Sequence, residues 1–322
     1  MIKRTSGRLR LPAFAIAGVA TVSLALAAGY HARGAYKYLN VFQEVWGLTQ
    51  ANYVESVDQA TLLQGAYRGM LSSLDAASAY LDARDERALS APMGPADAGM
   101  GVLLSGGIPV VVSVTEGGPA DEAGLSRGDQ IWRLGGRPLR QTALPVLERL
   151  LSGQDGDVLK LVVLDASTYK LGEVELTLST PASPGFRLVV EEGPILRLRI
   201  DDPRRVDAAA LGTALREAQS AHAGAPLLVD LRGLVGVETD VVARLAGTFL
   251  PGGSLLRLIP RSGPEETVTV KKGSAAAFSG RVYVMVDGGT AGTGEAIAAI
   301  AQEVSGAVLC GRKTYGLGGV PE

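Results

Sequence analysis

Between Val286 and Ala296 the chain reads VDGGTAGTGEA, an apolar strand end running through small residues into a helix start. Such a turn aims backbone N–H groups at one point, where they would stabilise an oxyanion, and it suits a reactive side chain as well. Yet it holds no serine, cysteine, histidine or lysine. The hydroxyls at hand are Thr290 and Thr293, and the next amine along the chain is Lys313, in the stretch GRKTYGLG. A relocated threonine–lysine pair is the nucleophile and base that these residues offer. Against it, one step along a helix turns a side chain by about 100°, whereas attack needs reacting atoms held within roughly 3 to 3.5 Å. Thr293 then reads as a first-turn or capping residue, and Lys313 as a solvated loop charge.

Other chemistries find less support. Gly289 to Gly294 has the G-x-x-x-x-G outline of a phosphate loop, but Glu295 and Ala296 stand where lysine and a hydroxyl residue are needed, and glutamate repels phosphate. The two histidines, His31 and His222, and the single cysteine form no ligand cluster, so neither a metal nor another cofactor is expected. Cys310, in GAVLCG, reads as a buried strand residue without a disulfide partner. The formal net charge is −2 and no long lysine and arginine run occurs, which excludes the electrostatic footprint of a nucleic-acid binder.

The elements that must position the turn follow from the rest of the chain. At 322 residues with 47% hydrophobic content, it is long enough for two compact domains and a leader. Lys3, Arg4, Arg8 and Arg10 precede Leu11 to Tyr30, which carries no charge. Those twenty residues, at about 1.5 Å each, just span a bilayer core of roughly 30 Å, with the positive flank cytoplasmic. Ala25-Leu26-Ala27 also fits a cleavage pattern. Inner-membrane anchor and cleaved signal peptide both stay open for residues 1–35, and either places the body on the periplasmic side or outside the cell.

In the body, YLNVFQEVWGLTQANYV reads as an amphipathic helix and DQATLLQGAYRGMLSSLD as another, with Asp58 as N-cap and Leu63, Tyr67, Met70 and Leu74 on one stripe. This segment, residues 36–95, is expected to serve packing or dimerisation. From Ala98 short strands and glycines take over: GMGVLLSGGIPVVVSV, GGPADEAGLSRGDQIWRLGGRPL, a helix in ALPVLERLLSG and the strand VLKLVVLD. From Gly193 strand and helix alternate through PILRLRI, PLLVDLRG and RVYVMVD, which argues for a largely parallel sheet covered by helices. Sites gather at the carboxyl ends of such strands, and Asp230–Gly236 and Asp287–Gly294 are glycine clusters at two of them.

The segment from Ala98 resembles a PDZ domain of the bacterial protease type, most specifically over Gly118 to Asp129. The resemblance implies that a loop over Ala98–Val102 offers backbone N–H groups to a peptide's terminal carboxylate, with the peptide adding as a strand along β-residues Val102 to Leu104. Gly99, Met100, Gly101, Val102, Leu103 and Leu104 would form that side, and Leu144, Leu147 and Leu151 the helical wall. Those leucines read equally well as core filling.

In order and spacing, the exported helices with GAYRGMLSSLD and SAYL, the PDZ-like segment, LLVDLRG, the glycine-rich turn and GRKTYGLG resemble a carboxyl-terminal processing, or tail-specific, serine peptidase over residues 36–322. That resemblance implies an α/β core of the layered crotonase/ClpP-like type with a short carboxyl-terminal end over 183–322, an inserted β-barrel-like PDZ domain over 96–182, and the N-terminal helical segment. Such peptidases cut exported proteins near the carboxyl terminus with a serine and a lysine general base. Laid onto N-x-G-S-A-S-A-S-E, this chain has Asp287 for the asparagine, matches Gly289, Ala291 and Glu295, and puts Gly292 at the nucleophile. In the T-F-G-K-G stretch, Thr314 to Gly318 here, Leu317 replaces the lysine, 25 residues after Gly292 as in the family. An assisting glutamine falls on Pro321. Of the N-P-G-G turn after DLR, Gly236 survives, while Leu234, Val235 and Val237 depart. Backbone N–H groups at Gly236 and beside Thr293 are the oxyanion candidates, although such glycines also simply permit tight turns.

Leucine cannot exchange a proton and glycine has no side chain, so loss of both ends of the mechanism predicts an inactive relative that still reads carboxyl termini of exported proteins. Its expected partners are such peptides, an active protease relative or a second copy through the helical segment, and the inner membrane if the anchor is kept. The alternative is an active serine-type or threonine-type peptidase with relocated or partner-supplied residues. A third is a degenerate or fragmentary product, since family members continue beyond the position of Glu322.

Overall fold

The computed structural model describes residues 37–75, 77–236, 239–249, 253–260, 262–270 and 278–318. The leader expected over residues 1–35 and the position Pro321 lie outside them. Among the described residues no helix is long and apolar enough to cross a membrane. The chain divides into two compact units, Met1–Gly65 and Ala66–Glu322. In the first, α1 covers 37–52, and α2 (Gln59–Ser72) begins where the Asp58 carboxylate accepts the Thr61 amide at 3.0 Å.

In the second unit, α3 (Ala83–Ser90) is a short helix that periodicity did not announce. Its start is closed by a reciprocal cap: Asp82 accepts from the Arg84 and Asp85 amides, and Asp85 accepts from the Asp82 amide. There follow β1 (Ala96–Asp97), β2 (Met100–Ser105), β3 (Ile108–Val114), α4 (Pro119–Glu122), β4 (Gln130–Leu134), β5 (Arg137–Pro138), α5 (Leu144–Leu150), β6 (Ser152–Gly153), β7 (Val158–Leu164) and β8 (Leu171–Thr177). The antiparallel order is β2-β3-β4-β7-β8, with β5 paired to β4 and β1 to β6. Gly106 and Gly107, both at positive φ, make the two-residue turn between β2 and β3 that the strand twist favours. Arg137 on β5 pairs with the buried Asp85 carboxylate, which ties α3 to this sheet. The apolar faces close around Leu103, Val111, Ile131, Leu147, Leu161 and Leu176.

The remaining elements are β9 (Phe186–Glu191), β10 (Ile195–Ile200), α6 (Ala208–Ala221), β11 (Leu227–Asp230), α7 (Thr239–Phe249), β12 (Gly253–Leu258), β13 (Glu266–Val270), β14 (Val282–Val286), α8 (Thr293–Ser305) and β15 (Val308–Gly311). Their five-stranded sheet runs β15-β14-β11-β10-β9, parallel throughout except for antiparallel β9. Alternate residues of β10, Leu196, Leu198 and Ile200, are buried with Val229, Val284, Leu245 and Ile297 in a second core. The layered α/β core with an antiparallel domain ahead of it is the fold class expected from sequence. The hairpin β12–β13 and the strand β9 were not anticipated. Cys310 corrects a further expectation: it is exposed, because β15 is a sheet margin among the described residues and every residue along it is open to solvent.

Candidate functional site

The turn after β14 is held by two side chains. Asp287 accepts from the Gly233 and Gly289 amides, each at 3.0 Å, through one carboxylate oxygen, while the other is paired with Arg127 of the antiparallel domain. Burial pushes this carboxyl's pKa up, but the Arg127 guanidinium and the two amides outweigh it and hold it below the ordinary carboxylate range. Thr290 is fully buried; its hydroxyl donates to the Leu231 carbonyl at 2.9 Å and accepts the Asp287 amide at 3.0 Å. That hydroxyl is a structural link between the ends of β11 and β14, not a free nucleophile.

Three successive amides at the start of α8 are already committed. Ala291 donates to the Leu234 carbonyl at 2.9 Å, Gly292 to Glu295 Oε2 at 2.9 Å, and Thr293 to the Gly236 carbonyl at 2.8 Å. The expected pair of free oxyanion donors is therefore not formed: Gly236 supplies a carbonyl acceptor to Thr293. Gly292 sits at φ +53°, and a Cβ added there would fall against the Gly236 carbonyl oxygen. The same Cβ would lie 3.5 Å from Leu317 Cδ2, so the fold does bring positions 292 and 317 together. Leu317 and Ala291 are buried in the apolar cluster that contains Val102, Leu103 and Leu147.

Glu295 organises this junction. Its carboxylate accepts the Gly292 and Leu317 amides through Oε2, each at 2.9 Å, and the Gly316 amide through Oε1 at 2.7 Å. One side chain thus joins the helix start to the 314–318 loop by three charge-assisted bonds. Thr293 is buried and its hydroxyl has no partner among the described residues. Lys313 is exposed, and no hydrogen bond among the described residues links its amine to either threonine. Beside the turn, the buried Asp230 carboxylate is gripped by Arg232 through two bonds of 2.8 Å. Burial raises its pKa, and the Arg232 bonds and the Arg199 charge lower it further than burial lifts it.

The antiparallel domain closes onto this place. Ser113 Oγ donates to the Gly233 carbonyl at 2.9 Å, and a Cβ on Gly289 would lie 2.9 Å from Val112 Cβ, so glycine is needed for that approach. In the same domain β2 is a sheet margin with α5 beside it. Val102 lies opposite Val111, whose N–H and C=O both turn to the β4 side, toward Asp129 and Gly128. The backbone groups of Val102 therefore face away from β3. Gly99, Met100, Gly101, Val102, Leu147 and Leu151 border a cleft of about 820 Å³ that extends to Gly233–Gly236. Leu103, Leu144, Leu147 and Leu151 are buried and act chiefly as core. The Gly99 amide is not a free donor: it is given to Asp97 Oδ1 at 2.7 Å, and the Ala98 amide goes to the Leu151 carbonyl at 3.0 Å. Strand alternation leaves Met100 and Val102 with outward amides for a ligand, while Gly101, opposite Ser113, faces β3. Leu104 lies in a second cleft, of about 390 Å³, with Ala143 and Tyr315.

Comparison with known proteins bears on this arrangement. The model of peptidase family S41 matches residues 195–322, a PDZ domain model matches 110–165, and that of the activating protease CtpB N-terminal domain matches 23–85. Carboxy-terminal processing protease CtpA of Bacillus subtilis (strain 168) is 25% identical over 277 residues, 84% of this chain and 58% of that protein. CtpB of the same organism is 25% identical over 299 residues, 89% of this chain and 60% of that protein. The chain is similar to carboxyl-terminal processing peptidases over most of its length. It spans about three fifths of the length of these two curated relatives. The photosystem II D1 C-terminal processing protease shares its fold, with a TM-score of 0.59 at 20% identity over 83% of this chain and 74% of that one.

Within the processing-peptidase fold, the residues that sequence reasoning missed are those that act through geometry. Arg127 was read only as part of a PDZ-like loop, and Tyr315 only as a variant of a motif phenylalanine. Glu295 was matched to the family without a role. Apart from the Gly292 amide, three residues before Glu295, the partners of these side chains lie far along the chain, so nothing in local sequence announces their bonds.

Proposed function

We propose that this chain is an exported, catalytically inactive member of the processing-peptidase family that binds protein carboxyl termini through its PDZ domain. The observation that carries the reading is the closed turn at Gly292: no nucleophile, no room for a side chain, and its neighbouring amides bonded within the protein. Leu317 adds an apolar group where the family resemblance puts a proton acceptor. Losing one member of a cooperative catalytic set costs roughly 10⁴ to 10⁶ in rate, and here both ends are absent. Export rests on the basic residues ahead of the uncharged stretch Leu11–Tyr30. The margin strand β2 with its outward-facing Val102 supports carboxyl-terminal peptides as ligands, by strand addition. Calorimetric titration with peptides bearing free or amidated carboxyl termini, with the same mixtures assayed for cleavage, tests the whole reading. Binding that needs the free carboxylate, without cleavage, supports it; hydrolysis sinks the inactive assignment.

One observation favours an active threonine-type enzyme, namely the buried hydroxyl of Thr293 beside the turn, which has no partner among the described residues. Replacing Thr293 and Lys313 by alanine together abolishes any cleavage in that case and leaves it unchanged otherwise.

A further inference from the structure

The chain's own Tyr315 occupies a place on the β2 edge. Its hydroxyl donates to the Leu104 carbonyl at 2.8 Å. Leu104 lies opposite Pro109 in β3, two positions on from Val102. Strand alternation turns its carbonyl outward, as it does the groups of Val102. Tyr315 reaches it from the 314–318 loop, which Glu295 holds in place by accepting the Gly316 and Leu317 amides. Burial pushes the phenol's pKa up, so it keeps the proton it donates at neutral pH.

This placement bears on how much of a peptide strand the edge can accept. An antiparallel ligand whose carboxylate sits at the Met100 and Val102 amides sets its last residue opposite Val102. The third residue from its end then faces Leu104. We infer that Tyr315 limits strand addition on β2 by holding the carbonyl that would otherwise accept the N–H of the ligand's third residue from the end. The inference rests on the carboxyl-terminus reading proposed above. Backbone pairing with the ligand's third residue from the end is thereby weakened at that one bond, and the 314–318 loop, rather than the PDZ domain itself, sets that limit.

The test uses the full chain and Tyr315→Phe, with a heptapeptide of free carboxyl terminus, its amidated form, and an analogue with an ester oxygen in place of the N–H of the third residue from the end. The wild-type chain binds parent and ester within twofold of one another. Tyr315→Phe binds the parent about three- to tenfold more tightly than the ester, the value of one recovered backbone hydrogen bond. An ester penalty of that size already present in the wild type overturns the inference and leaves the carboxyl-terminus reading standing. Equal binding of parent and ester by Tyr315→Phe also overturns it. Absence of carboxylate-dependent binding by both proteins defeats that reading and this inference together.

Discussion

The amide of Thr293 donates to the carbonyl oxygen of Gly236 at 2.8 Å. A backbone carbonyl of the protein therefore sits on an amide that sequence suggested would be offered to a substrate oxygen. Two neighbouring bonds, from Ala291 to Leu234 and from Gly292 to Glu295, complete the closure. Opening the turn would break all three, and each buried group left unpaired costs about 1–3 kcal/mol.

Placing a serine at Gly292 and a lysine at Leu317, as the family resemblance suggests, is accordingly not expected to create a peptidase. Gly292→Ser places a Cβ against the Gly236 carbonyl at a positive φ, and destabilises the protein by at least about 2 kcal/mol. Thermal melts of Gly292→Ser and of Gly292→Ser with Leu317→Lys, together with labelling by a serine-directed fluorophosphonate, check this. Lower melting temperatures and no label are expected; stoichiometric labelling of the double variant would show that the Leu234–Gly236 turn withdraws readily.

Glu295 holds three amides with one carboxylate. Glu295→Ala should cost about 3 kcal/mol, and Glu295→Gln about half of that, because one amide oxygen still accepts two of the bonds. Hydrogen exchange at Gly292, Gly316 and Leu317 should quicken in the alanine variant before exchange in β14 does. Uniform acceleration across the five-stranded sheet would contradict a local clamp.

The Arg127–Asp287 pair links the PDZ domain to the turn. Arg127 is half exposed, so Arg127→Ala should cost no more than about 1 kcal/mol. Asp287→Ala also strands the Gly233 and Gly289 amides and should cost about 2 kcal/mol or more. The folded-state pKa of Asp287 lies below its ordinary value, so its stabilisation is present above the ordinary carboxylate range and is lost as pH falls through the lowered value. Melting temperatures of wild type and Asp287→Ala should hence converge below about pH 4; a gap that persists undiminished into strong acid would rule out the ionised carboxylate as its source.

Asp97, on the border of the larger cleft, titrates the other way. Burial raises its pKa and the Asp202 charge adds to this, against the lowering bond from the Gly99 amide and the charges of Arg204 and Arg205. The folded state therefore binds this proton more tightly than the unfolded chain does, and stability gains from it as pH falls through the raised value. Asp97→Asn keeps an acceptor for Gly99 and removes the charge, so it should melt above wild type at neutral pH, with the difference shrinking toward about pH 4. Melts from pH 7 to 4 decide it, and a difference independent of pH would refute the assignment.

Some of this protein was settled by its residues in order. The absence of a hydroxyl at Gly292 and of an amine at Leu317 is a property of the chain, and no packing can supply either. Period-two runs such as Leu196-Arg197-Leu198-Arg199-Ile200 gave the strands, and small residues marked the turns, because those signals are local. Tertiary structure alone decided that the turn at Gly292 is closed, that Glu295 clamps the loop, that Tyr315 takes the Leu104 carbonyl and that Cys310 is exposed. Each of these depends on which segments meet across the fold. Hydrophobic periodicity specifies which face of an element is buried, but not which distant carbonyl or amide is brought to it.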